Sequence, residues 1–158
     1  MKGVVVVDTN LLLLLVVGSA RKDYISKHKR LKDHYSVEDF ELLVLLVAEF
    51  SDIVLLPHIL TEVSNLSRNI DNPAKKEVQE ALRTLIETSN ELPLLSSYGA
   101  QRPEFHELGL TDAVILHLCS MSIADINPTL ITTDTDLANN ANSLGFSVID
   151  YKEEYQAG

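Results

Sequence analysis

Four acidic residues stand where carboxylates can do chemistry. Residues 4–7 are an unbroken run of four valines ending in Asp8, and residues 129–133, Thr-Leu-Ile-Thr-Thr, end in Asp134. Asp112 falls in the first turn of a helix expected over residues 111–124, where the helix dipole favours an anion. Glu62 lies at the border of an apolar stripe made by Ile59, Val63, Leu66 and Ile70, roughly 80–100° from its centre on a 3.6-residue period, so its carboxylate can face a cleft. Ligands of open α/β sheets bind beyond the carboxyl ends of the strands, and all four acids can converge on that rim. Once together they would repel one another and be costly to desolvate without a counter-charge. A hard divalent cation, Mg²⁺ or Mn²⁺, takes oxygen ligands, keeps several waters and resolves that conflict. No His/Cys pair at zinc spacing competes with it.

Each acid also has a plainer role. Asp before a helix is a common N-cap, which fits Asp8. First-turn acids stabilise helices by about 0.3–1 kcal/mol, which fits Asp112 and Asp134, and a single helical Glu is most often solvated. It is their joint placement at strand ends and helix starts that favours a shared site.

The elements that must position these residues alternate along the chain. After the strand at 4–7, residues 11–17 read as a helix capped by Thr9 or Asn10 and stopped by Gly18. Residues 18–35 are polar and basic with no clear apolar period, a loop or a solvated helix. Ser36 and Asp39 form a capping box opening an apolar helix to about Phe50, and residues 53–56 are a second buried strand. Pro57 suits the first turn of the Glu62 helix. Asn72-Pro73 marks a turn, and a helix over 75–89 turns Val78, Leu82, Leu85 and Ile86 inward; residues 92–98 are ambiguous. The helix at 111–124, with Thr111 as N-cap, is apolar on nearly all sides and therefore central. A helix carrying Leu137, Ala141 and Leu144 follows Asp134, stops at Gly145, and leads into a fourth strand over 146–149. Such alternation predicts an α/β fold, a central parallel sheet flanked by helices, in one domain over residues 1–158.

Composition bounds the function. The 158 residues are 46% apolar and 23% charged, as in a globular domain. Thirteen Lys and Arg against 23 Asp and Glu give a net charge of −10, which argues against a long nonspecific nucleic-acid footprint. Charge is unevenly spread: Arg21, Lys22, Lys27, Lys29, Arg30 and Lys32, set against two Asp, give residues 21–34 a net +4. Those six can grip RNA phosphates, dock an acidic partner, or simply solvate a loop. Tyr24, Tyr35 and Tyr98 are candidates for base stacking, against the commoner reading of exposed tyrosines. His58 and His106 read as surface or helix-end residues.

The single cysteine, Cys119, reads as a small core hydrophobe; it excludes an intrachain disulfide and favours a reducing compartment, with the cytoplasm as the expectation. Lys2, the apolar residues 4–17 and Gly18-Ser19-Ala20 imitate a secretory signal, but Asp8-Thr9-Asn10 breaks the run and neither half is long enough to span a bilayer. The surplus of Leu and Val over residues 11–17 and 42–47 points to a homodimer.

Four motifs in register, Val-Val-Asp8-Thr9-Asn10, Leu60-Thr61-Glu62-Val63, Gly109-Leu110-Thr111-Asp112-Ala113 and Ile131-Thr132-Thr133-Asp134-Thr135-Asp136-Leu137, span nearly the whole chain. In order and context they resemble the PIN-domain nucleases, which include the ribonuclease toxins of bacterial and archaeal toxin–antitoxin pairs. The resemblance implies a PIN-like, Rossmann-like three-layer fold and an endoribonuclease dependent on Mg²⁺ or Mn²⁺. It implies catalytic roles for Asp8, Glu62, Asp112 and Asp134, and metal ligation by Asp8, Asp112 and Asp134. Glu62 would act through water, and Asn10, Thr132 and Asp136 would support the acids. Products with a 5′ phosphate and a 3′ hydroxyl, an RNA substrate and an antitoxin protein partner follow from the same resemblance. Residues 18–35 depart from it, since many small members have a shorter connection there. The alternatives are a housekeeping RNA-processing nuclease and a catalytically silent RNA- or protein-binding module; the presence of all four acids counts against silence. Asp134-Thr135-Asp136 also resembles the Asp-x-Asp of haloacid-dehalogenase-like phosphatases, but only about 22 residues follow it. A receiver-like phosphoacceptor fails similarly, for want of a Lys after a late strand.

Overall fold

The computed structural model describes residues 2–123, 125 and 127–156. Five strands, β1 (Lys2–Val7), β2 (Phe50–Leu55), β3 (Asn90–Glu91), β4 (Thr129–Thr132) and β5 (Ser147–Asp150), form one sheet in the order β3-β2-β1-β4-β5. Every pairing is parallel, with Val5 opposite Ile53 on one side of β1 and Val7 opposite Ile131 on the other. Parallel strands covered on both faces must be apolar throughout, and Val5, Val6, Val7, Leu130 and Ile131 are all buried.

Among the described residues eight α-helices connect them: α1 (Thr9–Ala20), α2 (Val37–Val47), α3 (Pro57–Ser67), α4 (Ala74–Thr88), α5 (Ser96–Ala100), α6 (Phe105–Leu108), α7 (Leu110–Cys119) and α8 (Thr135–Ser143). Helices α1 to α4 pack on one another, as do α5 to α8 around α7. Right-handed crossovers place the two groups on opposite faces of the sheet, giving three layers. Chain direction across the sheet reverses between β1 and β4, so the carboxyl ends of these two strands flank the crevice where such folds bind ligands. No helix among the described residues is long and apolar enough to cross a membrane.

Several boundaries differ from the sequence expectation, each for a local reason. The N-cap of α1 is Asp8 itself, in extended conformation with its side chain accepting from the Thr9 N–H, so neither Thr9 nor Asn10 caps the helix. Gly18 does not stop α1, which continues to Ala20. Its missing side chain instead admits the ring of buried Phe40, and a methyl at that position would collide with the ring. Overpacking of this kind costs about 1–3 kcal/mol, more than the roughly 1 kcal/mol that Ala gains over Gly within a helix. Gly18→Ala is therefore expected to lower the urea midpoint, and an unchanged or higher midpoint would mean that Phe40 gives way freely.

Helix α1 is apolar all round because it is enclosed. Leu11 to Leu14, Val16 and Val17 are buried, and the helix packs against α2, α3, α4 and β4. Its surplus of Leu and Val serves this core, which leaves α2, with Val44 and Leu45 exposed, as the carrier of the homodimer expectation. The capping box of Ser36 and Asp39 is present, but α2 ends at Val47 and β2 begins at Phe50. The ambiguous stretch before residue 98 yields α5, preceded by the two-residue edge strand β3, which the sequence did not announce. Ile86, expected to face inward, is 37% exposed, and Leu144, the last of the spaced apolar residues after Asp134, is 45% exposed.

Helix α7 is central and buried as expected, but its N-cap is Gly109 rather than Thr111 and it ends at Cys119. Gly109 has φ +88°, a left-handed conformation that a residue with a Cβ resists. The expected helix end at Ala124 lies outside the described residues. Burial pushes the Cys119 thiol up to about 12, in keeping with an inert core residue.

Residues 18–35 are more ordered than their composition suggests. Tyr24, Ile25, His28 and Leu31 are buried, an i, i+1, i+4, i+7 pattern carried by a short 3₁₀ helix (Lys22–Tyr24) and successive turns. His28 is held between the Leu66 carbonyl (Nε2, 3.0 Å) and the Arg30 N–H, which donates to Nδ1 at 3.2 Å. That pairing requires the neutral Nε2–H ring, and burial lowers its pKa accordingly.

Candidate metal centre

Strand β1 ends at Val7, and the Asp8 N–H donates to the Ile131 carbonyl of β4 at 3.0 Å, so the Asp8 side chain emerges at the topological switch point. Its Oδ1 accepts from the Thr9 N–H at 2.7 Å and its Oδ2 from the Thr132 hydroxyl at 2.8 Å. The same Thr132 oxygen accepts from the Asp134 N–H at 2.9 Å. One buried hydroxyl thus links the Asp8 carboxylate to the backbone of Asp134. Asp134 caps α8, its Oδ1 accepting from the Leu137 N–H at 3.1 Å. The capping role expected of Asp8 is real; Asp134, expected as a first-turn acid, is itself the N-cap of α8, and both caps hold these side chains at the crevice. Asp112 comes from α7, as the third residue after its Gly109 cap.

Asp8, Asp112 and Asp134 each present a carboxylate oxygen, and the three atoms lie within 4.8 Å of one another. Asp8 and Asp112 are partly buried and Asp134 is exposed. Among the described residues no Lys, Arg or His forms an ion pair with any of them. Burial, with the charges of Asp8, Asp134 and Glu62 added, pushes Asp112 up to about 7. Asp8 is also raised, chiefly by burial; the bonds from Thr132 and Thr9 oppose the shift, and the charges of Asp134 and Glu62 add to it. A donor set of three carboxylate oxygens with this much unrelieved repulsion fits a hard divalent cation such as Mg²⁺ or Mn²⁺.

Glu62 stands outside this tight group. It is exposed on α3, beside His58, Thr61 and Thr111 at the mouth of the crevice, close enough for its charge to raise both Asp8 and Asp112. Such a position suits contact through water. Asp136 is exposed in the first turn of α8 and is not one of the three clustered acids. Asn10 accepts from the Arg30 Nε at 3.4 Å.

The six basic residues do not share one environment. Arg21 and Lys27 pair with Asp23, Lys22 pairs with Glu41, and Arg21 and Lys27 line a separate depression with residues 70–74. Lys29 and Lys32 are exposed. Arg30 alone of the six lines the cleft next to the acids, together with Asn10, His34, Tyr35, Thr133 and Lys152. Sequence reasoning missed His34, Thr133 and Lys152. Lys152 is brought there by the tertiary fold, and no local pattern announces it.

Of the three tyrosines, Tyr24 is buried and donates to Glu77, while Tyr98, 40% exposed, stacks on His117 with ring centroids 4.7 Å apart. Tyr35 shares a 3.1 Å hydrogen bond with the Thr133 hydroxyl. Burial holds its phenol above the ordinary value; the Thr133 bond opposes this, and the charges of Asp39 and Asp8 add to it. His58 is partly buried, with Nε2 at 2.8 Å from the Ser96 hydroxyl, and His106 is exposed. No protein-family model matches the sequence, and no curated protein does either.

Proposed function

We propose that the chain is a metal-dependent endoribonuclease of the PIN-domain kind, hydrolysing RNA phosphodiester bonds at Asp8, Asp112 and Asp134. The observation that supports this most is the convergence of three carboxylates from three separate elements, within 4.8 Å and without a cationic partner among the described residues, at the switch point of a parallel sheet. A purely structural cluster would be expected to recruit a Lys or Arg, because burial, with the repulsion of Asp8, Asp134 and Glu62 added, raises Asp112 to about 7.

Asp8, Asp112 and Asp134 would hold Mg²⁺ or Mn²⁺, which when bound supplies a water of lowered pKa and neutralises charge on the phosphate and the departing 3′ oxygen. The protein's own part is orientation. Thr132 and the Thr9 N–H fix the Asp8 carboxylate, so that ligation needs little rearrangement of that side chain. The Leu137 N–H does the same for Asp134. Glu62, at the mouth, would orient an attacking water and accept its proton.

The test is cleavage of end-labelled structured RNAs by the wild type and by Asp8→Asn in Mg²⁺, Mn²⁺ or EDTA. Cleavage by the wild type with either ion, none in EDTA, and a loss in Asp8→Asn of about 10³-fold or more are expected. That loss should exceed the 10–100-fold typical of a supporting contact to a metal ligand. Cleavage in EDTA, or full activity in the variant, would sink the mechanism.

A further inference from the structure

A cleft of ≈ 280 Å³ adjoins the acid cluster and carries the opposite charge. Arg30, Lys152 and His34 line it with Tyr35, Thr133 and Asn10, and among the described residues no carboxylate does. In a chain with 23 acids and 13 Lys and Arg, a surface assembled without purpose would bring more acids than bases to such a place.

The cleft is held from both sides. Tyr151 is fully buried, and its hydroxyl donates to the Asp39 carbonyl at 3.1 Å, with Asp39 Oδ1 at 3.3 Å. Asp39 is itself locked in the capping box of α2. This anchor fixes the start of the π-helical turn Lys152–Gln156, and Gln156 Nε2 closes it by donating to the His34 carbonyl at 3.3 Å. On the facing side Arg30 reaches Asn10, and Tyr35 meets Thr133. Neither Arg30 nor Lys152 is in an ion pair among the described residues, so both charges are available to a ligand. The wall is shared with the metal centre: Asn10 lies two residues after Asp8, and Thr133 directly precedes Asp134.

We infer that this cleft binds the nucleotide of a single RNA strand adjacent to the scissile phosphate, with Arg30 and Lys152 contacting its phosphate. The inference rests on the nuclease reading for its direction, since a strand crossing the acid cluster must enter or leave past Asn10 and Thr133. Its volume lies near the lower end, about 300 Å³, of small-ligand pockets, which suits one nucleotide better than a segment of acidic peptide. Two unpaired cations replace the long basic groove that the net charge excludes.

The experiment uses the full chain, with Arg30→Ala/Lys152→Ala and Arg30→Lys as variants. Both side chains are exposed, and urea midpoints check that folding is intact. Binding of a fluorescent 12-nucleotide single strand is followed by anisotropy in EDTA across a salt series, and cleavage kinetics are measured with Mg²⁺. In the double variant, affinity at 100 mM salt should fall about 10-fold or more, and the log–log salt slope should flatten by about 0.7, the value for one phosphate no longer neutralised. KM should rise in parallel while kcat moves less than about threefold, the signature of lost binding that is uniform along the reaction. Arg30→Lys should recover most of the slope. Unchanged affinity, slope and KM in the double variant would overturn the cleft while wild-type cleavage leaves the nuclease reading standing. Cleft-dependent binding without wild-type cleavage would overturn the nuclease reading and uphold the cleft's contact with the strand. Displacement of the labelled strand by a 12-residue oligoglutamate at or below the concentration needed of unlabelled RNA would overturn the inference in favour of protein docking.

Discussion

Asp112→Asn is expected to abolish RNA cleavage and, in the same protein, to raise the unfolding temperature measured in EDTA at pH 8. The two effects share one cause. In the folded chain the Asp112 carboxyl is pushed up to about 7 by burial and by three neighbouring acids, against an ordinary value of 3.8. At pH 8 the folded protein therefore carries a buried charge that the unfolded chain solvates freely. Asn has nearly the same shape and no charge, so it removes that cost. With a discount for partial exposure the gain is on the order of 1–2 kcal/mol, and at about 2–4 °C per kcal/mol for a domain of this size it should appear as a rise of several degrees. Loss of activity of about 10³-fold or more accompanies it, since a cation ligand is gone. A fall in unfolding temperature would instead assign Asp112 the plain role of a first-turn helix stabiliser.

The unfolding temperature of the wild type should respond to divalent cations in a pH-dependent way. A carboxyl whose folded pKa lies above its unfolded one binds its proton more tightly in the native state. Its contribution to stability is therefore intact below about 4, is lost as pH rises toward about 7, and stays lost above that. Asp8 is shifted in the same direction. Mg²⁺ or Mn²⁺ competes with those protons, so stabilisation by the ion should be near zero at pH 4–5 and large at pH 8. At 100 times its dissociation constant an ion binding only the folded state adds about 2.7 kcal/mol, some 5–10 °C here. Asp112→Asn supplies the control, because its difference from the wild type in EDTA should grow across the same pH interval. An ion effect that is equal at pH 5 and pH 8, or that NaCl of matched ionic strength reproduces, would point to general screening and not to a site.

Much of this arrangement was legible in the residues. A strand candidate that ends in Asp, twice, marked Asp8 and Asp134; a first-turn position marked Asp112; and the border of an apolar stripe let Glu62 face the cleft. All of these are local signals, and the parallel sheet follows from their alternation with helices. What the residues did not reveal depends on partners distant in the chain. Gly18 reads as a stop signal until Phe40 is seen against it. The surplus of leucines in α1 reads as an interface until the helix is found enclosed. Tyr24, Ile25, His28 and Leu31 keep a helical spacing across broken turns, which a search for continuous periodicity passes over. Lys152 reaches the cleft through Tyr151 and Asp39, a contact spanning 112 residues.

The bond from Thr132 to Asp8 spans 124 residues and depends on β4 pairing beside β1. A chain emerging from the ribosome through α7 already contains Asp8, Glu62 and Asp112, yet it lacks the strand that orients Asp8 and the helix cap that contributes Asp134. The order of the elements in the chain thus withholds the assembled centre until the final quarter has been synthesised and this most distant pairing has closed.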